Sequence, residues 1–119
     1  RGIDQIYREA TEQETAVFLE KDFILLKNDF SVRKVKTANR KRIALASDIL
    51  AGLQEAERSS IFSYIVKYCP DLDNGNGLFE IKNETDLKML LYGIEQRFYT
   101  TPVGKQQRIA NSIIPINLN

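Results

Sequence analysis

Six cations fall between positions 33 and 42: Arg33, Lys34, Lys36, Arg40, Lys41 and Arg42. No acid stands between Asp29 and Asp48. Lysine and arginine in such a run neutralise phosphates, and Thr37 and Asn39 add hydroxyl and amide groups of the kind used on DNA backbones. A second, thinner group follows Glu95, after which the chain has no acid: Arg97, Lys105 and Arg108, with Tyr99, Thr100, Thr101 and Gln107 among them. The net charge is only +1. Apart from these nine cations, eight basic residues face all sixteen acids, so the chain divides into a positive and a negative part. This division implies a polyanionic partner on one side. Nucleic acid is the leading reading. A solvated surface pairing with the chain's own acids is the plain alternative, and an acidic protein or anionic lipid is a third.

One spacing matches a catalytic signature. Pro70-Asp71, then eight residues, then Glu80-Ile81-Lys82, has the letters of the PD-(D/E)xK nucleases. Asp71 and Glu80 would hold Mg²⁺ and Lys82 would stabilise charge or position water. The match is weak because Asp71 follows a helix-stopping proline instead of lying on its own strand. No glycine-rich phosphate loop of the mononucleotide or dinucleotide type is present.

Absences narrow the chemistry further. The chain has no histidine, which removes Ser–His and Cys–His catalysis and His-ligated metal. Cys69 is the only cysteine, so neither an internal disulfide nor a zinc-thiolate cluster can form within one chain. It reads as a buried apolar residue of a reducing, cytoplasmic setting. No cofactor, metal site or catalytic residue is therefore assigned. No apolar run approaches the ~20 residues of a bilayer-crossing helix, so membrane insertion is not expected. The absence of an initiator Met points to a piece of a longer protein.

The elements that must position these cations follow from spacing. Hydrophobic residues make up 43% of the 119, enough for one core, and no linker or repeat divides the chain. Residues 1–119 thus read as one α+β domain, with four or five helices on a small, mainly antiparallel sheet. Ile3, Ile6, Tyr7 and Ala10 have helical spacing, and Thr11–Glu14 is a capping box that restarts a helix. Phe23 to Leu26, the turn at 27–29 and the alternation from Phe30 to Val35 predict a β-hairpin. Thr37 caps a helix with Leu45, Ala46, Ile49, Leu50 and Leu53 inward and Gly52 at its end. Ser59 or Ser60 starts the next helix, which Pro70 stops. A strand covers 78–82. Asn83 caps an amphipathic helix running through Leu87, Leu90, Leu91, Ile94 and Phe98. Residues 99–104 read as a loop, and Ile113, Ile114 and Ile116 as an edge strand.

From Phe23 onward the chain resembles the domain of uncharacterised family that forms the C-terminal part of KwaB proteins, the soluble components of the Kiwa anti-phage systems. The resemblance rests on Asn39-Arg40-Lys41, Glu80-Ile81, Asp86-Leu87-Lys88 with Leu90-Leu91, and Tyr99-Thr100-Thr101 with Gly104. These are short pieces spread over about three-quarters of the chain. The resemblance implies a cytoplasmic defence protein that binds DNA, assembles as an oligomer and works with a membrane partner.

Three functions thus stand as expectations. The first is non-enzymatic DNA binding through Arg33, Lys34, Lys36, Arg40, Lys41 and Arg42, with Arg97, Lys105 and Arg108 as a second tier. The others are a protein-interaction or oligomerisation module using the same basic face, and a Mg²⁺-dependent nuclease.

Overall fold

A computed structural model of the chain describes residues 8–111. In order, the elements are α1 (Glu12–Leu19), β1 (Ile24–Leu26), α2 (Thr37–Ala51), α3 (Glu55–Tyr68), β2 (Phe79–Ile81), α4 (Glu84–Ile94), β3 (Phe98–Thr100) and β4 (Gln107–Ile109). Single 3₁₀ turns cover Val32–Lys34 and Pro70–Leu72. The fold is α+β, as the sequence predicts. None of the described helices is long and apolar enough to cross a membrane.

Helix α4 is the centre. Leu87, Leu90, Leu91 and Ile94 repeat at helical spacing and all are fully buried, so one stripe of this helix supplies much of the core. α2, α3 and β2 pack around it. Gly93 permits the closest approach: a Cβ there would lie 2.5 Å from Ile65 Cγ1 on α3. Asn83 caps α4 by accepting the Asp86 N–H, and Thr11 and Glu14 form the predicted reciprocal box at α1.

Several expectations are corrected. Phe23 to Val35 is not a hairpin. β1 pairs in parallel with β2, Ile24 opposite Phe79 and Leu26 opposite Ile81, and 32–34 turns as 3₁₀ helix. Burial decides this: Phe30 and Val35 both reach the core, which a compact turn allows and a flat alternating strand does not. The sheet is therefore not mainly antiparallel. It is one parallel pair and one antiparallel pair, β3 with β4. α2 is capped by Lys36, with Thr37 as its first residue. α3 begins at Glu55, where Gln54 and Glu57 form a capping box, and not at Ser59 or Ser60. α4 ends at Ile94, because Gln96 turns to φ 58° and redirects the chain into β3 where a loop was expected. The helical spacing of Ile3 to Tyr7 and the strand at Ile113 to Ile116 lie outside the described residues, and Ala10 is not helical.

Two aromatic clusters brace the ends. Phe23, Phe62 and Phe79 lock β1, α3 and β2, with centroids 4.8 and 5.9 Å apart. Phe98 stacks on Tyr68 at 5.5 Å and packs against Tyr64 at 6.0 Å. The Tyr64 hydroxyl donates to the Phe98 carbonyl, fastening β3 to α3. Burial pushes the Tyr64 hydroxyl up to about 12 and the Cys69 thiol up to about 11. Cys69 is thus the buried residue that its sequence context predicts.

Candidate nucleic-acid interface

The basic strip is built by one turn and one helix start. Asn28 and Asp29 take the left-handed conformation, φ 56° and 61°, which their short polar side chains tolerate. The chain then enters the 3₁₀ turn between two buried anchors, Phe30 and Val35. With both anchors inward, Arg33 and Lys34 point to solvent, and Lys36 is exposed beyond Val35. Lys41 is half-buried one turn into α2. None of these four forms an ion pair among the described residues.

The other two cations of the strip fold back on the protein. Arg40 Nη1 lies 3.7 Å from Glu9 Oε2, and its Nε donates to the Val35 carbonyl. Arg42 Nη1 donates to Asn39 Oδ1 at 3.0 Å, and its guanidinium lies 5.0 Å from the Tyr92 ring centroid. The strip is therefore three exposed cations, one half-buried lysine without an ion pair among the described residues, and two arginines that fold back on the protein.

The N-terminus of α2 is already occupied by an acid of the same chain. Glu84, the first residue of α4, accepts the Lys36 main-chain N–H with Oε1 and the Asn39 side-chain amide with Oε2. Asn39, which is 5% exposed, also donates to the Glu84 carbonyl at 3.3 Å. A carboxylate here satisfies an orphan helix donor and balances the helix dipole and the cations around it. The shallow pocket beside it, about 170 Å³, is lined by Lys36, Asn39, Arg42, Glu84 and Lys88. A larger groove of about 470 Å³ lies between α1 and α2, around Val17, Phe18, Ile43 and Ala44, and no cation of the strip lines it.

The second tier divides. Arg97 is buried, 6% exposed, with Nε 3.1 Å from Glu95 Oε1 and its guanidinium 4.8 Å from the Tyr92 centroid. It is a packing residue at the base of the β3–β4 hairpin and not a surface cation. Lys105 and Arg108 are exposed on the hairpin itself. One Tyr92 ring thus receives a guanidinium from the strip and one from the hairpin base, which is where the two groups of cations meet.

The residues of the nuclease spelling lie on a 3₁₀ turn and on and just after β2, which pack against each other. Asp71 is exposed in the 3₁₀ turn after α3, and Lys82 Nζ lies 3.3 Å from Asp86 Oδ2. Among the described residues no three His, Cys, Asp or Glu groups are placed to hold a metal ion.

Glu84, Tyr92 and Glu95 were not legible as parts of this region. Glu84 reads from sequence only as a first-turn acid of its own helix. Its partners, Lys36 and Asn39, are more than forty positions away. Comparison with protein-family models, curated proteins and solved structures finds no match to the chain.

Proposed function

We propose that this domain binds nucleic acid without acting on it, through side-chain contacts to phosphates from Arg33, Lys34, Lys36 and Lys41. The observation that carries this reading is their position: four cations on one turn and helix start, reachable by solvent, with no ion pair among the described residues. Glu84 occupies the end of α2, so the reading does not use the helix N-terminus as an anion seat. Long, flexible cations that reach phosphates read no base edges, so the expected mode is sequence-independent contact with the backbone. Arg40 and Arg42 hold the strip in place from beneath. In the same reading, and in keeping with the resemblance to the KwaB domain, such binding would serve anti-phage defence in the bacterial cytoplasm.

The test is a fluorescence-anisotropy titration with duplex DNA across a range of salt. The comparison is a variant carrying Arg33→Gln, Lys34→Gln and Lys36→Gln. Each phosphate contact contributes about 0.9 to the slope of log K against log salt. Three lost contacts lower that slope by roughly 2.7 and weaken binding at low salt. Equal affinity and equal slope for both proteins overturn the proposal. A mass that grows with protein concentration and collapses in salt, and that the same variant abolishes, favours the oligomerisation module instead. Mg²⁺-dependent nicking of plasmid, lost in Glu80→Ala, favours the nuclease.

A further inference from the structure

The β3–β4 hairpin carries a different surface. Tyr99 and Arg108 are register partners across the two strands, so their side chains share one face. Phe98, one residue away, points to the other face and packs on Tyr64 and Tyr68. Tyr99 is 44% exposed, open for an aromatic residue next to the buried Phe98. Arg108 is exposed on the same face as Tyr99, and its Nη2 donates to Gln106 Oε1 at 2.6 Å, which steadies the guanidinium. Lys105 stands at the turn, and no acid follows Glu95 anywhere in the sequence.

The hairpin is held in one shape before any partner arrives. The Thr101 hydroxyl donates to the Val103 carbonyl at 2.8 Å and accepts the Gln106 N–H at 2.9 Å. The Thr101 N–H donates to the Gln106 carbonyl. Gly104 and Lys105 both take positive φ, 85° and 51°. For lysine this is an uncommon conformation, kept here by those bonds.

We infer that this face binds single-stranded nucleic acid, with one unpaired base stacked on Tyr99 and a neighbouring phosphate held by Arg108 and Lys105. An open aromatic ring beside cations offers a base both a π-face and a charge partner. Inside a duplex both faces of every base are covered by its neighbours, so this surface selects unpaired strand. A purely acidic protein would use the cations and leave the ring without a role. The inference goes beyond the phosphate-binding strip and does not require it.

The experiment uses the 119-residue chain, which has five tyrosines and no tryptophan, so its emission reports tyrosine. Oligothymidine is titrated into the parent, Tyr99→Ala, Tyr99→Phe and the Arg33→Gln/Lys34→Gln/Lys36→Gln variant. Parallel titrations use duplex DNA and polyglutamate. Stacking predicts quenched tyrosine emission, about a tenfold loss of oligothymidine affinity in Tyr99→Ala, and little loss in Tyr99→Phe. Duplex affinity stays the same in all Tyr99 variants. Matching melting curves show that the exposed substitution leaves the fold intact. Oligothymidine bound as tightly by Tyr99→Ala as by the parent overturns the inference. So does a loss that is equal for oligothymidine, duplex and polyglutamate, or self-association that disappears in Tyr99→Ala. Loss in the strip variant alone leaves the strip reading standing without this one; loss in Tyr99→Ala alone does the reverse.

Discussion

Replacing Glu84 tests whether a same-chain carboxylate holds the start of α2. The side chain accepts the Lys36 main-chain N–H and the buried Asn39 amide. A hydrogen bond to a charged group contributes about 1.5–3 kcal/mol, and an N-terminal charge adds roughly 0.3–1 kcal/mol. The two overlap, so Glu84→Ala is expected to cost about 2–3 kcal/mol. Glu84→Gln keeps one oxygen acceptor but loses the charge, and about 1 kcal/mol is expected. For a domain of this size each kcal/mol lowers Tm by about 4 °C. Lys36→Ala is the control. The bond runs to its backbone, so that change stays within about 0.5 kcal/mol. Urea unfolding followed by circular dichroism reads all three. A Glu84→Ala protein as stable as the parent, or a Lys36→Ala protein equally destabilised, refutes the argument. Duplex affinity gives a second readout: removing one negative charge from among Lys36, Arg42 and Lys88 raises it.

Three further outcomes follow from particular contacts. Gly93→Ala, usually a stabilising change within a helix, should destabilise. The new Cβ meets fully buried Ile65 at 2.5 Å, so overpacking of about 1–3 kcal/mol outweighs a helix gain of about 1 kcal/mol; thermal melting reads the sign. Arg97→Ala removes a buried guanidinium that lies beside Glu95 and over the Tyr92 ring and should cost about 1.5–3 kcal/mol, with loss of amide protection in β3 and β4 by hydrogen exchange. Glu14 is held down to about 2 by its hydrogen bond with Arg8, then by the Thr11 backbone N–H. Its folded value lies below its unfolded value, so its contribution is complete above about 4.5 and is lost as pH falls through about 2. The Glu14 NMR titration should have its midpoint in that acid range, and the first turn of α1 should loosen there; an ordinary glutamate midpoint argues against the capping box.

What the sequence made legible was local. The Thr11 and Asn83 caps, the Gly52 and Pro70 stops and the α4 stripe each depend on residues within a few positions of one another. They appear where the spacing puts them. The errors came from partners far apart in the chain. Phe30 to Val35 alternates like a strand, but both its ends are claimed by the core, and β1 finds its partner more than fifty positions later in β2. Residues 98–100 read as the end of a helix and a loop because Phe98 continues the i+4 spacing from Ile94. The turn at Gln96 breaks that continuation, and Tyr64 and Tyr68 supply the surface on which Phe98 packs as a strand residue. Arg97 reads as a surface cation for the same reason: its charge is visible in sequence, while its contacts with Glu95 and Tyr92 are not.

The strip also separates stability from binding. Arg40, Lys41 and Arg42 stand in the first turns of α2, each unfavourable there by roughly 0.3–1 kcal/mol if exposed. Read from the sequence alone, this placement calls for an external anion. Glu84 answers it from within, on the main-chain donor at the helix start, while Arg40 and Arg42 turn back to Glu9 and Tyr92. The domain therefore needs no ligand to fold around its own positive charge. Arg33, Lys34, Lys36 and Lys41 are left with no such internal use. Cations of this kind add little to stability, and in the proposed reading a partner's phosphates would give the four a shared role. A stability screen will accordingly overlook them: their replacement should leave melting nearly unchanged while removing most of the salt-dependent affinity, whereas replacing Glu84 or Arg97 should lower melting without removing that affinity.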